Sequence, residues 1–476
     1  MKRLITLISI CVLFNTVVSS QYLQEFYKNW YFGQYAGIRF NPDDNVEVLT
    51  NSQLNSIEAC SSISKGTDLC FYTDGVTVWN RYHHPMPNGT GLMANASSAQ
   101  GALAIPAPHQ SNKYYIFTTA DNEHWLQNGL RYSLVDMTLD GFDGDVTEQK
   151  NVLLEEMVTE KLAVVPHSNG VDLWVIAIRW ESNTFLAYLV TQDGVNPQPV
   201  ESSAGTFFYT YSPPSPSGYE CAKSVGYLKA SPDGTKLATI LHDEKKVEFY
   251  DFDRATGIVS NPRTSPALYN FPYGVAFSPN SRFLYVSTVY SNSKIYQFDT
   301  EDPNCFSQVL TIASGGSIQY FALELAPDGK IYVAQHQSST QSNYLSIISK
   351  PDLLGADCLF SQSALYLGGK LCQRGLPQMY YFKPNPTITV EDTYRKKYCN
   401  IFPNPANSLE YVTFYLPDNK ACSVDLISSD GRKIFSWNFE AFSNTAKLQL
   451  PAVAPGLYFL HFNQGEEQYT KKLLIK

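Results

Sequence analysis

The sequence is poor in charged residues and lacks the short motifs of several large enzyme classes. Asp, Glu, Lys and Arg make up only 17% of its 476 residues, and the net charge is −9. So few charges argue against a chain built from surface helices, and the negative sign gives a nucleic-acid partner no electrostatic support. No GxSxG or HExxH motif occurs, and no CxxC motif or Cys/His cluster indicates a zinc site. The sequence therefore predicts no catalytic residue.

Long hydrophobic runs are absent after the N-terminus. Basic Lys2 and Arg3 precede an apolar stretch from 4 to 18, and the small residues Ser19 and Ser20 end it. This order predicts a signal peptide over residues 1–20 that is removed on export. The apolar stretch is too short for a comfortable membrane span and no later one is long enough, so we expect no transmembrane segment.

What the sequence has in abundance is aromatic residues, at 14%, and one hairpin pattern that recurs. The three clearest copies are VGYLKASPDGTKLATIL at 225–241, YGVAFSPNSRFLYVST at 273–288 and FALELAPDGKIYVA at 321–334. Their turns start at Ser231, Ser278 and Ala326, which are 47 and 48 residues apart. Pro, Asp or Asn, and Gly are the residues that tight turns prefer, and the flanking residues alternate with a period of two. Each copy is therefore predicted to be a strand, a turn and a return strand.

A WD40-like repeat of this length, with about four strands, is typical of a β-propeller blade. Similar hairpins at 57–79, 102–119 and 162–178 bring the number to six. A seventh blade is predicted to be split between the termini, with residues 375–382 closing the ring beside the N-terminal strands. We predict an all-β fold with a propeller of about seven blades over 21–383. Six or eight blades, or meanders in a sandwich, stay open.

The end of the chain has a different pattern. Residues 384–398 are polar and include most of the Pro-containing segment KPNPT at 383–387, so they are predicted to be a linker. Six or seven short alternating strands follow within 399–476, with a hairpin turn at Asp430-Gly431. This predicts a small immunoglobulin-like β-sandwich.

This last domain resembles the type A C-terminal sorting domain of type IX secretion cargo from Bacteroidota. The residues that carry the resemblance lie in Phe402–Ala406, Val424–Lys433, Ala454–Leu460 and Lys471–Lys476. The motif positions are Pro403, Asn404, Pro405, Gly431, Gly456, Tyr458, Lys472 and Lys476. The resemblance implies contact with the type IX machinery and export to the outer-membrane surface or the medium. It also implies removal of the domain, with release or attachment to surface glycolipid.

The region from 30 to 382 also resembles a group of secreted Bacteroidota propeller proteins. The likeness rests on Trp30–Gly33, Glu58–Ser64, Leu69–Asn80, Met86–Leu92 and Gly375–Gln378. It implies a secreted propeller and gives no chemistry to any residue.

Eight cysteines follow the signal peptide, and an even number in an exported chain permits disulfides. Cys60 and Cys70 flank a short turn, and Cys358 and Cys372 are the next most local pair. These four are the disulfide candidates, with the connectivity open.

One acidic loop could hold Ca²⁺ through the side chains of Asp140, Asp143 and Asp145. It lacks the full twelve-residue calcium-loop pattern, so a solvated turn with no cofactor is the alternative.

The predicted function is binding of a glycan or protein partner by loops on a rigid propeller. The best exposed ligand candidates are Tyr209, Tyr211 and Tyr219 in a Pro-rich loop. The alternative is a propeller hydrolase or lactonase with a divalent cation in the central channel, although the sequence does not place any histidine there. Clustered carboxylate, histidine and arginine side chains in the channel would favour the alternative.

Overall fold

The computed structural model describes residues 26–43, 45–209, 221–268, 270–337, 340–380, 400–402, 404–415, 421–440, 445–464 and 467–476. The chain divides into two compact units, Met1–Pro384 and Asn385–Lys476. The predicted signal peptide and linker lie outside the described residues. The helical elements described are four short 3₁₀ turns, at Asn122–His124, Asp140–Phe142, Ala222–Ser224 and Gly355–Cys358. Within the described ranges, no helix has the length and apolar character to span a membrane.

The described part of the first unit contains seven antiparallel sheets that follow one another along the chain. The first three consist of β1 Asn29–Phe32, β2 Ala36–Phe40 and β3 Val46–Leu49; β4 Ser61–Lys65, β5 Asp68–Thr73, β6 Thr77–Asn80 and β7 Pro85–Thr90; and β8 Ala102–Pro106, β9 Lys113–Thr119, β10 Leu130–Asp136, β11 Asp145–Val146 and β12 Val152–Glu155. Strands that are consecutive in sequence are neighbours in each sheet, except that β11 and β12 both pair with β10.

The remaining four sheets repeat this meander. They consist of β13 Val158–Pro166, β14 Leu173–Arg179, β15 Thr184–Thr191, β16 Gly194–Val195 and β17 Val200–Ser203; β18 Leu228–Ala230, β19 Lys236–Leu241, β20 Lys246–Asp253 and β21 Ile258–Thr264; β22 Pro272–Phe277, β23 Phe283–Thr288, β24 Lys294–Asp299 and β25 Leu310–Ser314; and β26 Ile318–Leu325, β27 Ile331–Gln337, β28 Thr340–Gln341, β29 Tyr344–Ile348 and β30 Phe360–Tyr366. The short strands β16 and β28 pair beside β15 and β27.

The three recurring turns form as their residues predict. In each turn the fourth N–H donates to the first carbonyl oxygen: Gly234 to Ser231 at 2.8 Å, Ser281 to Ser278 at 2.8 Å and Gly329 to Ala326 at 2.9 Å. The fourth residue has a positive φ in all three turns, which glycine adopts without strain. The hairpins β18–β19, β22–β23 and β26–β27 therefore confirm the repeat.

The seven sheets are the blades of a propeller. The first strand of one blade contacts the first strand of the next in the pairs β1–β4, β4–β8, β13–β18, β18–β22 and β22–β26. Both faces of a blade are covered by its neighbours; in β14 every residue but the last is buried. This packing explains why so few residues in the unit are charged.

Aromatic rings join the first and last blades. Trp30 of β1 and Phe40 of β2 meet Tyr332 of β27 with ring centroids 5.6 and 5.5 Å apart. The N-terminal blade therefore packs on the C-terminal one, which leaves no open end of the ring.

The predicted closing strand over residues 375–382 is wrong in its form. Leu371 makes an antiparallel bridge to Gln34, and the chain then runs on without regular strand structure to Tyr380. A Cβ on Gly375 would lie 1.7 Å from the Glu58 carbonyl oxygen, so the two backbones approach too closely for a strand with side chains. Phe382 lies outside the described residues.

The second unit contains two sheets in the described residues. Their strands are β31 Asn400–Phe402, β32 Tyr411–Tyr415 and β35 Thr445–Gln449 in one, and β34 Lys433–Phe439, β33 Cys422–Ser428, β36 Gly456–Gln464 and β37 Glu467–Ile475 in the other, each in spatial order. Phe414 of the first sheet contacts Phe462 of the second, with ring centroids 5.2 Å apart. The unit is the small immunoglobulin-like sandwich that the alternating pattern predicts.

Candidate functional site

The interior of the propeller channel holds a buried polar network. Gln100 donates from Nε2 to the carbonyl oxygens of Leu162 and Leu228 and accepts from both of their N–H groups. Lys229 Nζ donates to Glu324 Oε2 at 2.5 Å and to Gln378 Oε1 at 2.8 Å. Because these residues come from different blades and from the closing segment, the network ties the inner strands together and fills this part of the channel.

One mouth of the channel opens into a cavity of about 330 Å³. Its carboxylates are Glu58, Glu123, Glu160 and Asp243, and its other polar groups include Asn122, His242, Gln319 and Arg374. The aromatic residues Tyr273, Tyr290 and Phe321 complete the wall with Ser97, Val225 and Val289. Convergent polar groups in a well-formed cavity mark a candidate ligand site, and this volume lies at the lower end of the range for such sites.

Glu160 is fully enclosed at the inner wall of this cavity. Its carboxylate accepts from the N–H of Ala99 at 2.9 Å and from both the N–H and the side-chain amide of Asn122, at 2.8 and 3.0 Å. Burial, and then the nearby Glu58 carboxylate, raises the pKa of Glu160 to about 8. The side chain therefore joins β13 to the two loops that flank β8 and β9, and it can hold a proton at neutral pH.

Glu58 and Arg374 form an ion pair at the same mouth, with Nη1 and Oε1 3.3 Å apart. Burial raises the pKa of the Glu58 carboxyl to about 7, and the Arg374 charge opposes this shift. Arg374 belongs to the closing segment, whose N–H and carbonyl groups bond to Ile57 and Ala322. Closure of the ring therefore positions the guanidinium, which also lies 5.5 Å from the centroid of Phe321.

Two acceptors at the wall have no partner among the described residues. The side-chain nitrogen of Asn122 donates to Glu160 Oε1 and Glu123 Oε2, so its oxygen Oδ1 faces away and is buried without a hydrogen bond. The half-buried carboxylate of Asp243 makes no hydrogen bond or ion pair within the described ranges. The Tyr273 hydroxyl is buried at the same wall, beside the Glu58 carboxyl.

His242 and Tyr290 form an aromatic edge to the cavity. His242 Nδ1 lies 2.8 Å from the carbonyl oxygen of Pro272, and burial lowers the pKa of this imidazole, so the ring is neutral and Nδ1 donates. Tyr290 contacts Phe271 edge-on at 5.4 Å and leaves 54% of its surface exposed. One open aromatic face therefore stands at the entrance.

The side chains at this mouth do not form a metal centre. Among the residues that the structure describes, no three His, Cys, Asp or Glu side chains come together as metal ligands would. The channel cation of the hydrolase alternative therefore has no fitting ligand set here, and we derive no chemical step through a metal.

The structure describes one of the three predicted ligand tyrosines. Tyr209 is 42% exposed, and the ammonium of Lys223 lies 3.8 Å from its ring centroid. Lys223 is two residues from Val225, which lines the cavity, so Tyr209 belongs to the surroundings of the mouth. Tyr211 and Tyr219 lie outside the described residues.

The predicted calcium loop makes protein contacts instead. Asp145 Oδ1 accepts from the N–H groups of Asn88 and Val146, and Asp143 pairs with Arg81 at 3.3 Å. Asp140 begins a 3₁₀ turn. These contacts give the calcium hypothesis no support, and it stays a prediction.

The predicted disulfide pairings do not occur. Cys60, Cys70, Cys358 and Cys372 are all free thiols in the structure. In the β4–β5 hairpin Ser61 pairs with Thr73 and a bulge lies beside Ser64, so the register places Cys60 several residues away from Cys70. Cys358 and Cys372 are buried in different hydrophobic clusters, and Cys372 bridges to Ser342.

The predicted sorting motif has a structural role in the second unit. Asn404 donates to the Lys472 carbonyl oxygen at 2.7 Å and accepts from the Leu474 N–H at 3.0 Å, which holds the last strand. Gly431 has a φ of 85° in its turn, Gly456 begins β36, and Tyr458 donates to the Ala454 carbonyl oxygen. Lys472 and Lys476 are exposed, Pro405 follows Asn404 through a cis peptide bond, and Pro403 lies outside the described residues.

Sequence reasoning missed the main residues of the mouth. The sequence did contain a signal for Glu160 and Lys161, because these two charged residues lie in a strand whose other residues are uncharged, and the whole strand is buried. No local signal marks Glu58, Asp243 or Arg374, which come together only when the ring closes.

Solved structures similar to this chain are propellers with low sequence identity. A candidate 6-phosphogluconolactonase from Bacteroides uniformis is 14% identical, with a TM-score of 0.44 over 72% of this chain and 98% of its own. A second such protein, from Bacteroides fragilis, is 13% identical, with a TM-score of 0.42 over 73% and 97%. The periplasmic gluconolactonase of Pseudomonas aeruginosa is 13% identical, with a TM-score of 0.37 over 89% and 99%.

The C-terminal unit matches a known family over its sequence. Residues 400–476 match the model of the secretion system C-terminal sorting domain. A search of curated proteins found no match to the chain. The chain is therefore a β-propeller protein that carries a type A sorting domain of the type IX secretion system.

Proposed function

We propose that this exported propeller binds a small, hydroxyl-rich ligand of the carbohydrate class in the cavity at its channel mouth. The observation that carries the proposal is the lining, in which carboxylates, amides and one guanidinium converge beside the exposed ring of Tyr290. Sugar hydroxyls donate and accept hydrogen bonds, so they match such walls, and the apolar face of a sugar ring packs on an aromatic side chain. Display on the cell surface or release into the medium would both bring the site to extracellular glycans.

Ligand-observed NMR with the full chain tests the proposal, using D-glucose, D-glucosamine and D-glucuronate as probes. Tyr290→Ala removes the exposed ring without disturbing the core, and we expect it to weaken binding by about threefold to tenfold. Phe142→Ala is the matched control, because Phe142 is 65% exposed and lies outside the mouth. Binding that Tyr290→Ala leaves unchanged, or that is absent for all three probes, contradicts the proposal.

A second candidate function is hydrolysis of a sugar lactone at the same mouth without a metal. It is favoured by two neighbouring carboxyl groups whose pKa values burial raises to about 7 and about 8, in Glu58 and Glu160. Glu58 would take a proton from water as the water oxygen bonds to the acyl carbon, and Arg374 would stabilise the developing oxyanion. The ring oxygen would then leave and take up the proton that Glu58 had accepted, which yields the hydroxy acid.

Opening of glucono-δ-lactone in a pH-stat tests this second candidate. We expect Glu58→Gln to lower the rate by about 100-fold or more, as loss of a general base does. A rate for the unaltered protein equal to that of buffer contradicts the hydrolase function and leaves the binding proposal in place.

A further inference from the structure

The cavity lining stays negative whichever protonation state its two most buried carboxyls adopt. Glu58 and Glu160 are nine-tenths buried or more, whereas Glu123 and Asp243 stand nearer to the opening. With both buried carboxyls neutral, two carboxylates still face one guanidinium, that of Arg374. The low-dielectric walls of a cleft concentrate such a field, so the mouth attracts cations and repels anions.

The neighbouring cations offset this field only in part. Lys161, which follows Glu160 in β13, is not part of the lining and donates from Nζ to the carbonyl oxygens of Ser224 and Val225. Burial lowers the pKa of Lys161 to about 7, and the nearby Glu160 and Asp243 carboxylates oppose this shift. Lys223 at the rim is paired with Glu244 at 2.8 Å. His242 is neutral, because burial lowers its pKa.

The hydrogen-bonding groups of the wall, like its charge, favour a ligand that carries donors. Asp243 has no donor among the described residues, and the buried oxygen Oδ1 of Asn122 has none either. Asn122 cannot exchange its oxygen and nitrogen, because both carboxylates that its nitrogen now meets would then face an oxygen. On the donor side, the Arg374 guanidinium already faces Glu58. These two oxygens are therefore left to accept from N–H or O–H donors of a ligand.

We propose that the ligand of this site carries a protonated amine, as an amino sugar does, with the ammonium held by Asp243 and the ring lying against Tyr290. This inference rests on the proposed binding of a hydroxyl-rich ligand and names its charge. It predicts that a cationic sugar binds more tightly than an anionic one, whereas a site for sugar acids or sugar phosphates would show the reverse order.

Three probes of one ring size separate the alternatives in titration calorimetry with the full chain: D-glucosamine, D-glucose and D-glucuronate. We expect glucosamine to bind about tenfold more tightly than glucose, the effect of one charge-assisted hydrogen bond, and glucuronate to bind more weakly than glucose. Asp243→Asn keeps the size of the side chain and removes its charge, so we expect it to abolish the preference for glucosamine over glucose. Asp193→Asn, at an exposed carboxylate between β15 and β16, is the control for net charge.

The outcomes distinguish this inference from the function on which it rests. Equal binding of glucose and glucosamine, tighter binding of glucuronate, or a preference that survives Asp243→Asn overturns the amine inference and leaves carbohydrate binding intact. Failure of all three sugars to bind overturns both.

Discussion

Lys229 and Glu324 form a buried ion pair across the propeller channel, with Nζ and Oε2 2.5 Å apart. Lys229 lies in β18 and Glu324 in β26, and the blade of β22–β25 stands between these two blades in sequence. Burial raises the pKa of the Glu324 carboxyl to about 7, and Lys229 opposes the shift. The pair thus joins non-adjacent blades at the centre of the ring.

Removal of one partner of this pair is expected to destabilise the propeller. Lys229→Met leaves a buried carboxylate without its cation, which costs about 3–5 kcal/mol, whereas the double change Lys229→Met with Glu324→Leu costs less because neither charge stays behind. Urea unfolding measures both. Lys113→Met, at a partly exposed pair with Asp136 3.9 Å apart, is the control and is expected to cost under about 1 kcal/mol. If the double variant had a lower free energy of unfolding than Lys229→Met alone, the stabilising role of the ion pair would be contradicted.

Closure of the ring depends on Gly375. An added Cβ would meet the Glu58 carbonyl oxygen at 1.7 Å, so Gly375→Ala must separate the closing segment from the second blade. We expect a loss of at least about 2 kcal/mol in urea unfolding, since overpacking of this kind commonly costs 1–3 kcal/mol. Gly316→Ala, where a Cβ meets nothing within 4 Å and φ is 58°, is the control for left-handed strain and is expected to cost about 1 kcal/mol. Equal effects of the two changes would show that closure does not need a glycine.

The stability of the propeller is expected to fall as the pH rises through the range in which Glu58 titrates. Its pKa is raised from 4.5 to about 7, so the folded protein holds this proton more tightly than the unfolded chain does. The stabilisation is fully present below about pH 4.5 and is lost as the pH rises through about 7.

Comparison of Glu58→Gln with the unaltered protein isolates that contribution. Between pH 4.5 and pH 8, the unaltered protein should lose up to about 3 kcal/mol relative to the variant, which cannot titrate. Glu148→Gln, at an exposed carboxyl, controls for the loss of one charge. Parallel pH profiles of Glu58→Gln and the unaltered protein would contradict the raised pKa.

Export is expected to require the C-terminal unit. Deletion of residues 400–476 removes the sorting domain, so the propeller should accumulate in the cell envelope and disappear from the cell surface and the medium. Immunoblots of cell fractions measure this. Asn404→Ala is a smaller change in the same domain. It removes only the two hydrogen bonds from this side chain to the last strand, so we expect it to lower export in part. Normal surface appearance of the truncated chain would refute the role of the domain.

The sequence by itself determined the hairpins, the propeller class of the fold and the C-terminal sandwich, and it indicated about seven blades with six or eight left open. These features depend on contacts between residues close in the chain: Pro232, Asp233 and Gly234 form their turn locally, and strand alternation is local as well. The sorting motif was also readable, because its residues stabilise strands of one small domain.

Only the tertiary structure decided the candidate site. Glu58 and Arg374 are 316 residues apart and meet because the closing segment runs beside the first two blades. The shifted pKa values of Glu58 and Glu160 come from burial, which no local pattern encodes. The predicted cysteine pairs failed because closeness in sequence does not fix the register of a hairpin. The register of β4 and β5 does not place Cys60 opposite Cys70, and both are free thiols.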